Sequence, residues 1–166
     1  RVTDDSQILW YLDAMHEDCD QPAEVYADEF LVSTDEIELI NEVGDLIEEL
    51  TEEQFGHRTR PWVSPLFSLQ MFRVIQSISE FTGQKASVFE MGPGSGYLGA
   101  LLIRAGHRYI STDVAEGFYL WQSRMFEKLA PGEFTEMAED DDFSKLEDPG
   151  TRVVHVPWWR HASYYK

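Results

Sequence analysis

The feature that most constrains this chain is VFEMGPGSGYLGALLIRAG, residues 88–106, where five glycines and a proline separate an apolar strand from an apolar helix. Val88 and Phe89, led in by Ala86 and Ser87, read as the end of a buried strand. Leu98, Leu101, Leu102 and Ala105 then recur at i, i+3, i+4 and i+7, one face of a helix. Gly106 follows the last periodic residue, where a left-handed cap is expected. Gly92, Gly94 and Gly96 therefore occupy a strand-to-helix turn. Without Cβ atoms they accept positive φ and let a ligand approach the main chain. The unpaired N–H groups that open the helix attract electron-rich ligand groups. The turn reads as a nucleotide-type site.

Two fingerprints overlap in it. Gly94, Gly96 and Gly99 satisfy the G-x-G-x-x-G spacing of dinucleotide sites. Asp113 lies 19 residues past Gly94, at the end of the next expected strand, HRYISTD, where an acid on a ribose hydroxyl belongs. Glu90 argues against a dinucleotide, since a carboxylate behind the loop repels a pyrophosphate and attracts an ammonium group. The run Glu90-Met91-Gly92-Pro93-Gly94-Ser95-Gly96 resembles the first motif, E/D-x-G-x-G-x-G, of class I S-adenosylmethionine-dependent methyltransferases. The resemblance spans about residues 86–160. It implies a Rossmann-like methyltransferase core with S-adenosylmethionine as cofactor. Glu90, Gly92, Pro93, Gly94, Ser95 and Gly96 would hold the methionine part, and Asp113 and Val114 the ribose side. An NAD-dependent oxidoreductase is the alternative enzyme. A non-catalytic module with a vestigial cofactor fold is the alternative of another class.

Charge divides the chain. Residues 1–55 carry 18 acidic side chains against one arginine, most of the net −18, whereas residues 56–166 are nearly neutral. The boundary falls at QFGHRTRPW, where Gly56 and Pro61 punctuate a basic patch. Two regions are expected: an acidic helical region over 1–55 and a partial Rossmann-like domain over 56–166. Within the first, STDEIELINEVGDLIEEL opens on a capping box, Ser33 and Glu36, with Ile37, Ile40, Val43, Ile47 and Leu50 as its apolar stripe. SQILWYLDAMH places Ile8, Leu9, Leu12 and Met15 at helical spacing, and DQPAEVYADEFL reads as a short helix between them. The carboxylates form a solvated face or a surface for a basic protein. They disfavour nucleic acid through repulsion with phosphates.

In the second region, SLQMFRVIQSISEF places Met71, Val74, Ile75 and Ile78 on one helical face. EGFYLWQSRMFEKL does the same with Phe118, Trp121, Met125 and Leu129. Short strands are expected near Phe134–Met137 and over Val153, Val154 and Val156. Alternating strands and helices mean an α/β fold with a parallel sheet of about four strands. A complete core of the resembled family has seven strands, and three further strand–helix units need on the order of 90 residues. A truncated domain is therefore expected, with an open edge and apolar surface that invite association of copies.

The resemblance places the methyl-acceptor site after the fourth strand, at His155, Pro157, Trp158, Trp159, Arg160 and His161. His155 is the candidate general base, with packing as its plainer role. Trp158 and Trp159 are candidate platforms for a planar or sugar acceptor, or core filler. The segment departs from the Asn-Pro-Pro-Tyr pattern of nucleobase and protein-glutamine methylating enzymes. HVPWW and the acidic leader are similar to sugar O-methyltransferases, so a sugar or another small hydroxylated acceptor is expected. Arg58 or Arg60 pairs with a carboxylate of the cofactor or an acidic group of the acceptor, or both neutralise the acidic helices. The resemblance also implies a carboxylate after the third strand for the adenine amino group, and Asp141, in the acidic run 140–142, is the candidate. The five histidines show no His-Glu-x-x-His spacing, and no metal site is expected. No apolar run reaches membrane-spanning length, and Cys19 alone forms no intrachain disulfide. A cytoplasmic protein is the expectation.

Overall fold

A computed structural model of the chain describes residues 2–16, 31–61, 63–140 and 142–161. Cys19, Asp141 and, but for Leu31, the short helix expected over residues 20–31 lie outside the described residues. Among the described residues, five helices and four strands follow in order: α1 (Asp5–His16), α2 (Thr34–Phe55), α3 (Val63–Thr82), β1 (Ser87–Met91), α4 (Tyr97–Arg104), β2 (Arg108–Thr112), α5 (Glu116–Leu129), β3 (Phe134–Glu136) and β4 (Val153–His155). Short 3-10 turns cover Phe143–Leu146 and Trp158–Arg160.

The strands form one parallel sheet in the order β1-β2-β4-β3. The chain is thus α/β, compatible with part of a Rossmann-like fold. A doubly wound sheet reverses its strand order beside the first strand. Here β2, β4 and β3 all lie to one side of β1, so β1 is an edge among the described residues.

Register decides the two faces of the sheet. Val88, Tyr109, Val153 and Phe134 align across the four strands. They meet side chains of all five helices in the larger core cluster. That cluster includes Ile8 and Leu12 of α1 and Ile40, Val43, Ile47 and Leu50 of α2. The acidic helices therefore share their core with the neutral region, and the boundary near Gly56 divides charge without dividing the core. Ile110, Val154, Val156 and Met137 make a smaller cluster on the opposite face, covered by Phe143 and Leu146.

Local signals place the helices. Ser33 accepts the Glu36 N–H while the Glu36 carboxylate accepts the Ser33 N–H, completing the capping box of α2. Gly56 ends that helix at φ 65°, a left-handed position that suits glycine. Three expectations are corrected. Ile37 of the α2 stripe is exposed, because the buried face of that helix begins at Ile40. Phe89 is exposed as well, because β1 lies at the sheet edge among the described residues and only one of its faces is partly covered. The third concerns α3. Of Met71, Val74, Ile75 and Ile78 on α3, only Ile75 is buried; the core face is Leu66, Leu69, Phe72 and Ile75. This helix is apolar on both sides, so spacing alone does not say which side packs. Contact with α4 selects the other stripe.

Candidate functional site

The glycine turn sits at the C-terminal end of β1, as its sequence predicts. Gly92, Gly94 and Gly96 all adopt positive φ, at 72°, 59° and 79°. The Gly92 N–H donates to the Thr112 carbonyl at 2.8 Å, carrying the β1–β2 ladder one step into the loop. Gly96 closes a turn on the Pro93 carbonyl at 2.9 Å and then starts α4. A Cβ on Gly96 would lie 2.9 Å from the Met125 side chain, so loop and α5 are in close contact. Helix α5 also holds the loop through its carbonyls: Trp121 Nε1 donates to Ser95 O at 3.1 Å, and Gln122 Nε2 to Gly94 O at 2.6 Å.

Asp113 follows β2 and is only 4% exposed. Its Oδ1 accepts the Ala115 N–H at 2.8 Å. Its Oδ2 accepts the Gly94 N–H at 3.2 Å and Gln122 Nε2 at 3.0 Å. This carboxylate buckles the glycine loop to the end of β2. A carboxylate offers about four lone-pair positions, so three of them are in use.

Glu90 stands half-buried on β1, on the face that Tyr109 shares. The Tyr109 hydroxyl donates to its Oε2 at 2.5 Å. Burial raises the Glu90 pKa above the usual carboxylate range, opposed by that hydrogen bond and reinforced by the Asp113 charge. Burial and the Glu90 charge push the Tyr109 phenol well above its ordinary value, so it stays a donor.

The remaining candidates fall elsewhere. Arg58 is exposed and 3.5 Å from Glu52, at the C-terminal end of α2. Arg60 pairs with Asp45 and with Glu48, so both arginines serve the acidic helix. His155 is fully buried, stacked on Tyr119 at 4.1 Å and hydrogen-bonded through Nδ1 to Ser123 Oγ at 3.0 Å. Burial lowers its pKa to about 3, which leaves a neutral, weakly basic imidazole. His161 meets the Thr112 hydroxyl at 2.9 Å.

Val114, Trp158 and Trp159 do come together. With Ala115 and Glu116 they line a cavity of about 710 Å³ whose other wall is Val2, Gln7, Trp10 and Tyr11 from the start of the chain. The N-terminal wall was not legible in the sequence, where the first helix reads only as an acidic amphipath. Gln122 and Tyr109 were missed as well. Gln122 does leave a trace, being a polar residue beside Trp121 in an otherwise apolar stripe. Tyr109 leaves none, because its link to Glu90 depends on strand register.

Among the described residues, no helix is long and apolar enough to cross a membrane, and no group of His, Cys, Asp and Glu side chains is placed to hold a metal. No family model matches the chain, and no curated protein or solved structure matches it.

Proposed function

We propose that this chain carries the S-adenosylmethionine-binding part of an O-methyltransferase whose acceptor is a sugar or another small hydroxylated molecule. One observation carries the reading: three positive-φ glycines between β1 and α4, with the half-buried Glu90 carboxylate directly behind them. When bound, the cofactor supplies an electrophilic methyl group on a sulfonium centre. The residues present fit such a group. A Cβ at Gly92 would meet no atom within 4 Å, so the loop has an open side. Glu90 would hold the ammonium of the methionine part, and Tyr109 orients its carboxylate. Asp113 keeps one lone-pair position for a ribose hydroxyl. Trp121 and Gln122 keep the loop rigid, which lowers the ordering cost of binding. His155 is given no proton transfer in this reading, since a buried imidazole with a pKa near 3 is a poor base.

A dinucleotide is the second reading, and Gly99 favours it. A Cβ there would lie 2.5 Å from the Tyr109 ring, the close helix–strand contact made by the third glycine of that fingerprint. Glu90 separates the two readings. Calorimetry on the full chain should detect S-adenosylhomocysteine in preference to NAD. Glu90→Gln should weaken S-adenosylhomocysteine by about ten- to a hundred-fold, the loss of one charged hydrogen-bonding partner. Tighter NAD binding in that variant, with S-adenosylhomocysteine unaffected, would overturn the methyltransferase reading.

A further inference from the structure

We infer that α1, the first helix of the acidic leader, forms one wall of the acceptor subsite, and that this subsite takes an uncharged carbohydrate ring. The inference rests on the proposed methyltransferase reading for the reaction, but on the cavity alone for binding.

Four exposed apolar side chains, Trp10, Val114, Trp158 and Trp159, converge on the 710 Å³ cavity. Scattered exposed apolar residues are ordinary, but three indoles gathered around one concavity mark a binding surface. The α1 wall is held in place. Tyr11 lies so close over Gly117 that a Cβ there would sit 2.3 Å from its ring. The same ring meets Phe118 edge-on at 5.1 Å. The Val2 N–H donates to Glu116 Oε2 at 2.7 Å, and Arg124 pairs with Asp5 at 2.8 Å. Three of these clamps, at Glu116, Gly117 and Phe118, fall on the first turn of α5, directly after Asp113, Val114 and Ala115, and Arg124 adds the fourth farther along the helix. The leader and the end of β2 thus face each other across one cavity.

Lining chemistry selects the ligand. The volume falls within the range of about 300–1,000 Å³ typical of small-molecule sites, room for one or two sugar rings and far more than a single ammonium group needs. Glu116 is the only charged side chain among the described lining residues. A phosphate or carboxylate on the ligand would meet no cation among the described lining residues, on a chain of net charge −18. The indoles offer flat apolar faces to ring C–H groups. The Gln7 amide, the Tyr11 hydroxyl and Glu116 offer hydrogen bonds to hydroxyls.

The test uses the full chain. Tryptophan fluorescence is titrated with uncharged sugars (methyl glucoside, trehalose, lactose and maltose) and with glucose 1-phosphate. Calorimetry with S-adenosylhomocysteine runs on the same samples. At least one uncharged sugar should give a saturable change, and glucose 1-phosphate should bind at least tenfold more weakly. Trp10→Ala and Gly117→Ala should each weaken the sugar about tenfold or more. Trp10→Ala should leave S-adenosylhomocysteine within about threefold, and S-adenosylhomocysteine should not displace the sugar. The inference fails if no uncharged sugar saturates, if the phosphorylated sugar binds more tightly, if Trp10→Ala changes nothing, or if S-adenosylhomocysteine competes. Sugar binding without any S-adenosylhomocysteine binding would sink the cofactor reading and leave the carbohydrate subsite standing.

Discussion

Helices α2 and α3 are nearly equal in length, 22 and 20 residues, and both pack on the same core, yet they meet water in opposite ways. Helix α2 buries Ile40, Val43, Ile47 and Leu50 and turns carboxylates outward. Helix α3 buries Leu66, Leu69, Phe72 and Ile75 and turns Phe67, Met71, Val74, Ile78 and Phe81 outward, the last 93% exposed. Phe89 and Met91 on the edge strand β1 are exposed too. Two lessons follow. Apolar spacing locates a helix, but only a polar opposite face says which side is the core. The negative face of α2 also repels like-charged copies, whereas the outer face of α3 has no such barrier.

The largest expected effect tests which stripe of α3 is the core. Leu69→Ala should cost about 2–5 kcal/mol in urea unfolding, as a cavity in a closed interior does. Met71→Ala, about half a turn away on the outer face, should stay within about 0.5 kcal/mol. The reverse ranking would break the comparison.

A second measurement separates interior acid sensitivity from that of the α2 carboxylates. His155 has a folded pKa of about 3 against an ordinary 6.5, so the unfolded chain takes up its proton first as pH falls. Its stabilising share is complete above pH 6.5 and is lost towards pH 3 at about 1.4 kcal/mol per pH unit. By pH 5 the loss should reach about 2 kcal/mol. Unfolding midpoints of His155→Phe should lack this increment between pH 7 and 5. Parallel slopes for parent and variant would mean that His155 is not the buried neutral group described.

The smallest effect concerns the link between the two helices. Glu36 caps α2 and also binds Arg73 of α3, with N–O distances of 2.6 and 2.8 Å. Hydrogen bonds from Arg73 hold its pKa at about 2. Glu36→Ala should cost about 1–2 kcal/mol at neutral pH, as loss of a cap with a charged partner. The parent–variant gap should close as pH falls below the ordinary range of glutamate towards 2, because the parent then loses the same interaction. A gap that persists at low pH would assign the cost to helix propensity instead.

What the sequence made legible were features that need only neighbouring residues. Ser33 and Glu36 announce a cap, Gly56 a helix end, and Gly92, Gly94 and Gly96 a strand-to-helix turn. Each depends on a local backbone requirement that few residue types meet. What stayed hidden depends on partners distant in the chain. Arg60 seats itself against Gly44, where a Cβ would lie 3.1 Å from its guanidinium. Tyr109 reaches Glu90 through register. The cavity wall at Trp10 exists because Tyr11 fits over Gly117. In the candidate site, the glycine loop and Asp113 were readable, but the use of Asp113 as the loop's own buckle was not, since nothing local marks Gln122 as its partner.

The sheet order has a consequence for the time course of folding. Strand β3 is made before β4 along the chain, yet its only ladder among the described residues is with β4, through Phe134, Thr135 and Glu136. Strand β4 must in turn slot between β3 and β2. Until residues 153–155 arrive, β3 has no strand to join, and β2 presents one unpaired edge. The outer half of the sheet is therefore completed by its last strand, as a late and non-local event of the kind that slows parallel sheets.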